Sequence, residues 1–337
     1  DGWVEQAIPT GQYLRDVDFL DSQTGWICGS AGTILHTTDA GTTWATQLSQ
    51  TGYGLYGISF VDESLGLAVG QGGTILRTED GGETWVVIRT DWMDTLYDVH
   101  FYDEQHAWAV GVNAIFAPFV GYSTDGGQSW SFTTFYIQNN EATLRGVRFV
   151  SEAVGFAAGS LWDGRGAVCR TTDGGLTWTT QIVFGNAMAC IDMASDMVGS
   201  AAGMNCSVLR TADGGDNWSN QYVGNSAFIR GIAAPDEVIT FCVGDGGLIT
   251  RTGDGGSTWE PQDSGTSVTL EGIDFIDPLI GTVVGDGGTI LRTETGGTLP
   301  SNAPDIQPMR TAAVRPWPGG VDPFEQVTEI PFAGPRT

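Results

Sequence analysis

The chain has 337 residues, with 40 acidic residues against 14 arginines and no lysine, for a formal net charge of −26. That balance argues against nucleic acid, whose phosphates need cationic partners, and against docking on anionic headgroups. No apolar run approaches the ~20 residues of a membrane-spanning helix, and 50 glycines with 41 % hydrophobic residues suit a β-rich fold with many tight turns.

The chain opens on Asp1 rather than methionine, from which we expect an export leader or propeptide already removed. Trp3 and the short strand-like run Val4 to Ile8 come first. An apolar segment from Leu14 follows, and then Thr37-Thr-Asp39-Ala-Gly41-Thr-Thr43-Trp44. The same frame returns at Trp85, Trp130, Trp178, Trp218 and Trp259, in steps of 41, 45, 48, 40 and 41 residues. A seventh copy, Thr293-Glu-Thr295-Gly296-Gly297-Thr-Leu299-Pro300, has lost its aspartate and its tryptophan.

Each period holds four strand-like runs. In the second they are Leu55 to Phe60, Gly66 to Gly70, Thr74 to Thr78 and Thr84 to Ile88, separated by Gly-Gly and Asp-Gly turn signals. Four short strands in about forty residues is the signature of a β-propeller blade. Trp3 lies 41 residues before Trp44, so the N-terminal strand is expected to complete the blade whose three inner strands come from residues 270–293. That closure removes an unpaired sheet edge. The expected fold is all-β: a seven-bladed propeller over residues 1–300 closed by its N-terminal strand, with an extended C-terminal tail over 301–337.

Features that recur in register are expected to be structural. The box aspartates sit in turns, where a carboxylate accepts backbone N–H groups. Arg77, Arg170, Arg210, Arg251 and Arg292 all lie eight residues before the tryptophan position, and His36 replaces the arginine of its blade. Five cysteines read as small buried hydrophobes rather than disulfide partners. Neither a Cys-x-x-Cys nor a histidine cluster points to a metal, and no cofactor is expected.

Departures from register mark the candidate site. The second position of the inner strand carries Arg15, Tyr56, Tyr97, Arg145, Arg230 and Glu271 in six blades. These side chains are expected to gather at one end of the central channel, the top, with Arg148 directed between blades. Blades three and four run 34 residues from inner-strand start to tryptophan where the others run 30. Their insertions bring Ile115, Phe116 and Phe119, then Trp162 and Arg165, and are expected to form an apolar patch. Residues 300–337 hold eight of the 13 prolines and no blade pattern. They read as polyproline-type chain, with Trp317, Phe324 and Phe332 as anchors for a partner.

The repeated motif resembles the Asp-box, or bacterial neuraminidase repeat. Over residues 1–300 the chain resembles the photosystem II assembly and stability factor family. Leu-Arg-Asp-Val17, Leu-Arg-Gly-Val147 and the Val-Gly-x-Gly-Gly-Thr-Ile-Leu turns at 69–76 and 284–291 carry that resemblance. It implies a cofactor-free protein on the lumenal or periplasmic side that binds reaction-centre subunits through an arginine patch, here Arg15, Arg145 and Arg230. The function expected is a non-catalytic extrinsic scaffold or assembly factor on a membrane protein complex, with photosynthetic reaction-centre or light-harvesting subunits as partners. The alternative is a secreted glycan-binding or sialidase-like propeller. The strong acidity, the missing lysines and the proline-rich tail depart from the family pattern.

Overall fold

In the computed structural model the chain is described over residues 2–298, apart from 8, 91–93, 138–140, 184 and 225. Seven four-stranded antiparallel sheets follow one another in chain order. Their inner strands are Leu14–Phe19, Leu55–Phe60, Thr95–Phe101, Ala142–Phe149, Met188–Met193, Ile229–Ala233 and Leu270–Phe275. The ring closes as the repeat spacing requires: Val4–Glu5 pairs antiparallel with Ile290–Thr293, Val4 opposite Arg292. Trp3 meets Phe275 edge to face at 5.9 Å and donates its indole N–H to Gln262 at 2.8 Å. Residues 301–337, with Trp317, Phe324 and Phe332, lie outside the described residues.

The core sits between neighbouring blades. Second strands such as Gly25–Gly29 and Gly66–Gly70 are buried at every residue, because a propeller blade is covered on both faces. An aromatic ring on the second strand stacks on the phenylalanine ending the next blade's inner strand. Trp26 lies on Phe60 at 3.6 Å, Trp108 on Phe149 at 3.6 Å and Phe241 on Phe275 at 3.9 Å. Burial of one such side chain stabilises by about 1.5–3 kcal/mol. Space there is tight: a Cβ on Gly66 would stand 2.3 Å from the Phe60 ring.

Each intact box is a closed hydrogen-bond set. Asp80 accepts the Thr84 N–H and the Thr78 hydroxyl on Oδ1 and the Thr84 hydroxyl on Oδ2, while the Thr78 oxygen accepts the Gly82 N–H. The register arginines do structural work of the kind their spacing suggests. Arg77 donates to the Gly126 carbonyl at 2.6 Å and Arg292 to the Ser22 carbonyl at 2.7 Å, each in the neighbouring blade. A further link is not obvious from the repeat. Gln6, Gln47, Gln221 and Gln262, three residues after the tryptophan position, donate carboxamide N–H groups to carbonyls in the next blade's box.

The inner strands are also joined around the channel. A side chain near the end of one blade's inner strand accepts the N–H of the residue one place further along in the next blade. Asp18 takes Phe60, Ser59 takes Phe101, His100 takes Phe149, and Asp192 takes Ala234. The five cysteines are free, four of them buried and Cys190 half-buried.

Candidate functional site

All seven inner strands carry a β-bulge, at Arg15, Tyr56, Tyr97, Arg145, Ala189, Arg230 and Glu271. The ladder register shifts between Leu14 and Asp16, and equivalently at 55/57, 96/98, 144/146, 188/190, 229/231 and 270/272. A regular strand would send consecutive side chains to opposite faces. The bulge re-aims the extra residue, so Arg15 and Asp16, or Tyr97 and Asp98, both line one cavity. Strand alternation alone does not forecast this.

The cavity holds about 560 Å³ and gathers Arg15, Tyr56, Tyr97, Arg145, Arg230 and Glu271, every inner-strand residue expected there. Blade five contributes Ala189 at the equivalent place, and Met188, Met204 and Phe228 make that side apolar. The arginines are not equivalent. Arg15 pairs with Glu271 across the closing junction. Arg230 pairs with Asp245 at 2.9 Å and lies over Phe228. Arg145 stacks 4.5 Å over the Tyr97 ring, which stacks in turn on Tyr56 at 5.6 Å. Among the described residues Arg145 has no carboxylate partner, and its side chain is exposed.

Deeper in the channel the charge reverses. Arg148, expected between blades, spans the two that flank its own, bridging Asp98 at 3.3 Å and Asp192 at 3.2 Å, and it also lines the cavity. Asp16, Asp18 and Asp274 share that space. Burial, reinforced by the charge of Asp98, pushes Asp16 up to about 7. Burial and Asp274 raise Asp18 well above the carboxylate range, and burial raises Asp274 to about 6. Asp98 is also raised by burial, against the opposing pull of Arg148. Burial and then the Arg148 charge hold His100 down to about 3, so it is a neutral imidazole that accepts the Phe149 N–H.

The blade insertions separate into two fates. Phe116 and Trp162 are exposed and meet edge to face at 5.0 Å, with exposed Ile115 beside Phe116 in the chain. Arg165 is tied to Asp163 at 2.7 Å. Phe119 leaves the patch: it lies on Pro118–Ser123 facing inward, buried, and stacks on Phe132 at 4.7 Å. Three potential metal ligands that the sequence does not group, Asp103, His106 and Glu152, come within 4.8 Å. Asp103 already caps a turn through the Gln105 and His106 N–H groups, as Asp21 and Asp62 do in other blades. That turn role accounts for it without an ion.

A family model described as photosynthesis system II assembly factor YCF48 matches residues 1–91, and a BNR/Asp-box repeat model matches residues 122–132. The photosystem II stability/assembly factor HCF136, chloroplastic, of Guillardia theta is 41 % identical over 44 residues, which is 12 % of this chain and 11 % of that protein. The match therefore spans about a tenth of that relative's length. Among solved structures, YCF48 bound to D1 peptide aligns with a TM-score of 0.70 and 21 % identity over 88 % of this chain and 96 % of the other. YCF48 from Cyanidioschyzon merolae aligns with a TM-score of 0.71 and 20 % identity over 87 % and 99 %. A GH74 xyloglucanase from Xanthomonas campestris aligns with a TM-score of 0.67 and 12 % identity over 89 % of this chain and 55 % of that one. At these identities the structural likeness shows the fold. The chain is an Asp-box propeller of seven blades that resembles the photosystem II assembly and stability factor family.

Proposed function

We propose that this propeller is a non-catalytic scaffold or assembly factor that attaches to the extracytoplasmic, periplasmic side of a photosynthetic reaction-centre complex. It holds an extended segment of a reaction-centre subunit in the top cavity. The observation that carries the reading is Arg145. Among the described residues it is a cation without a carboxylate, stacked on Tyr97 at the mouth of a cavity whose other arginines are neutralised from within. The match to an assembly-factor model over residues 1–91 supports it, as does the D1 peptide bound to the YCF48 of similar fold. The proline-rich residues 301–337 would be a second attachment, a reading that rests on their sequence alone.

Glycoside hydrolysis is the competing reading. It requires two carboxylates about 5–10 Å apart and free to address a sugar. Glu271 is engaged by Arg15, and Asp98 by Arg148 and the Val147 N–H, an arrangement that favours binding over bond cleavage.

The test is affinity capture from native membranes with the full chain and with Arg145→Glu, followed by mass spectrometry. Reaction-centre subunits enriched by the parent and lost with Arg145→Glu are expected. Equal capture by both proteins, or enrichment of glycans alone, overturns the reading.

A further inference from the structure

We propose that the insertions of blades three and four form a clamp for one apolar side chain of the bound polypeptide, about four residues from the carboxylate that meets Arg145. This rests on the reading of the cavity as a polypeptide site and adds a selectivity to it.

The clamp is a built feature. Phe116 and Trp162 come from different blades, stand 49 % and 63 % exposed, and hold their rings at 5.0 Å and 76°. Their backbones are fixed. Asn113 Oδ1 accepts the Ile115 and Ala117 N–H groups at 3.1 and 3.0 Å, and Ala114 donates to Asp94 at 3.2 Å. The Phe116 carbonyl accepts the Ala142 N–H, and Trp162 donates its N–H to Glu141, so the two loops are tied through one strand entry. Phe116 has a φ of +60°, a left-handed conformation that a bulky L-residue adopts at a cost and that clusters at binding sites. A glycine would sit there without strain, yet the position carries an exposed ring.

Charge and distance choose the occupant. Asp163 and Arg165 neutralise each other beside Trp162, so the clamp is a neutral aromatic surface on a chain of net charge −26. It suits an uncharged apolar group, while Arg145 suits a carboxylate. Trp162 is bonded to Glu141, four residues before Arg145 along the Ala142–Phe149 strand direction. At ~3.3 Å per residue that is roughly 13 Å, which an extended peptide also spans in about four residues. The occupant is an extended polypeptide with an acidic side chain or terminal carboxylate and a leucine-like residue at that separation.

The experiment uses the full chain and fluorescein-labelled Gly/Ser dodecapeptides carrying one Glu and one Leu, two to eight residues apart, read by anisotropy. Parent binding is expected to peak near a separation of four, about tenfold tighter than a leucine-free peptide. Phe116→Gly, whose backbone suits glycine, and Trp162→Ala should erase that preference and leave the weaker binding that Arg145→Gln removes. Circular dichroism confirms folding of each variant. Arg145-dependent binding indifferent to leucine, or unchanged by both clamp variants, overturns the clamp and spares the cavity reading. Binding of no peptide, or binding that ignores Arg145→Gln, overturns both. Phosphatidylcholine vesicle binding or self-association lost on Trp162→Ala, without peptide selectivity, assigns the patch elsewhere and overturns the clamp.

Discussion

Asp274 on the seventh blade accepts the backbone N–H of Phe19 on the first, at 2.8 Å. The same bond recurs from blade to blade except where Arg148 and Ala233 occupy the accepting position, since neither side chain can accept. The ring is therefore closed twice, at its outer strand by Val4–Glu5 and at its channel by a carboxylate.

Loss of the inner closure strands a buried N–H. At pH 4.5, where the raised Asp274 carboxyl is protonated, Asp274→Ala is expected to lower unfolding stability by about 1–3 kcal/mol, and Asp274→Asn, which keeps an acceptor, should recover most of it. Urea denaturation measures both. An alanine variant as stable as the parent would show that the channel bond adds nothing.

The outer closure makes a different prediction. Trp3 packs on Phe275 and holds Gln262, which holds the Gly296 carbonyl. Trp3→Ala should cost about 2 kcal/mol through lost apolar burial and expose the edge of Ile290–Thr293, so light scattering on mild heating should rise. Gln262→Ala should lower the melting temperature less and leave scattering unchanged, because the N-terminal strand stays paired.

Cys190 lines the cavity, whereas Cys28, Cys169, Cys206 and Cys242 are buried in the blades. Burial raises the Cys190 thiol, so alkylation by iodoacetamide should be slow near neutrality and quicken at alkaline pH. It should label Cys190 first, and a peptide held in the cavity should protect it. Peptide mapping decides this; prior labelling of Cys28 or Cys242 would mean that the blades open more readily than the cavity admits reagent.

The blades were legible in the sequence because turn chemistry repeats at a fixed period and each intact box carries its own tryptophan. The seventh box, with Pro300 where that tryptophan should stand, even located the closing strand at Trp3. Site residues were legible in part, since Arg15, Tyr56, Tyr97, Arg145 and Arg230 break an otherwise regular pattern at one position. What hid the rest is pairing across blades. That Arg15 is spent on Glu271, Arg230 on Asp245 and Arg148 on two aspartates depends on which strands become neighbours in the closed ring. Phe119 was misplaced because a loop insertion also shifts where the next strand begins, and with it which side chain points inward. The bulge has no composition signal of its own and emerges only from ladder register.

Two populations of carboxylates set opposite pH dependences. Asp16 and Asp274 are raised to about 7 and about 6, and Asp18 and Asp98 are raised as well. Between an unfolded value near 3.8 and those values the folded chain holds protons that the unfolded chain has lost. This stabilisation is full below about 3.8 and fades as pH rises through 6 to 7. His100, lowered to about 3, acts the other way: below 6.5 the unfolded chain gains a proton that the folded one refuses. Burial lowers His36 as well. Two histidines stand against four carboxylates, so stability should climb as pH falls from 7 toward 4. The box aspartates then reverse the trend. Hydrogen bonds from Thr258 hold Asp254 at about 2, and Asp39, Asp80, Asp125, Asp173 and Asp213 are lowered too. Their contribution is present above about 3.8 and is lost as pH drops toward 2. Melting temperature measured from pH 3 to pH 8 should therefore peak between about 4 and 5, and Asp16→Asn should flatten the limb above the peak. A maximum at neutral pH with steady loss on acidification would mean that the channel carboxylates are ionised in the folded protein and that Arg148 holds more of them than its two bridges show.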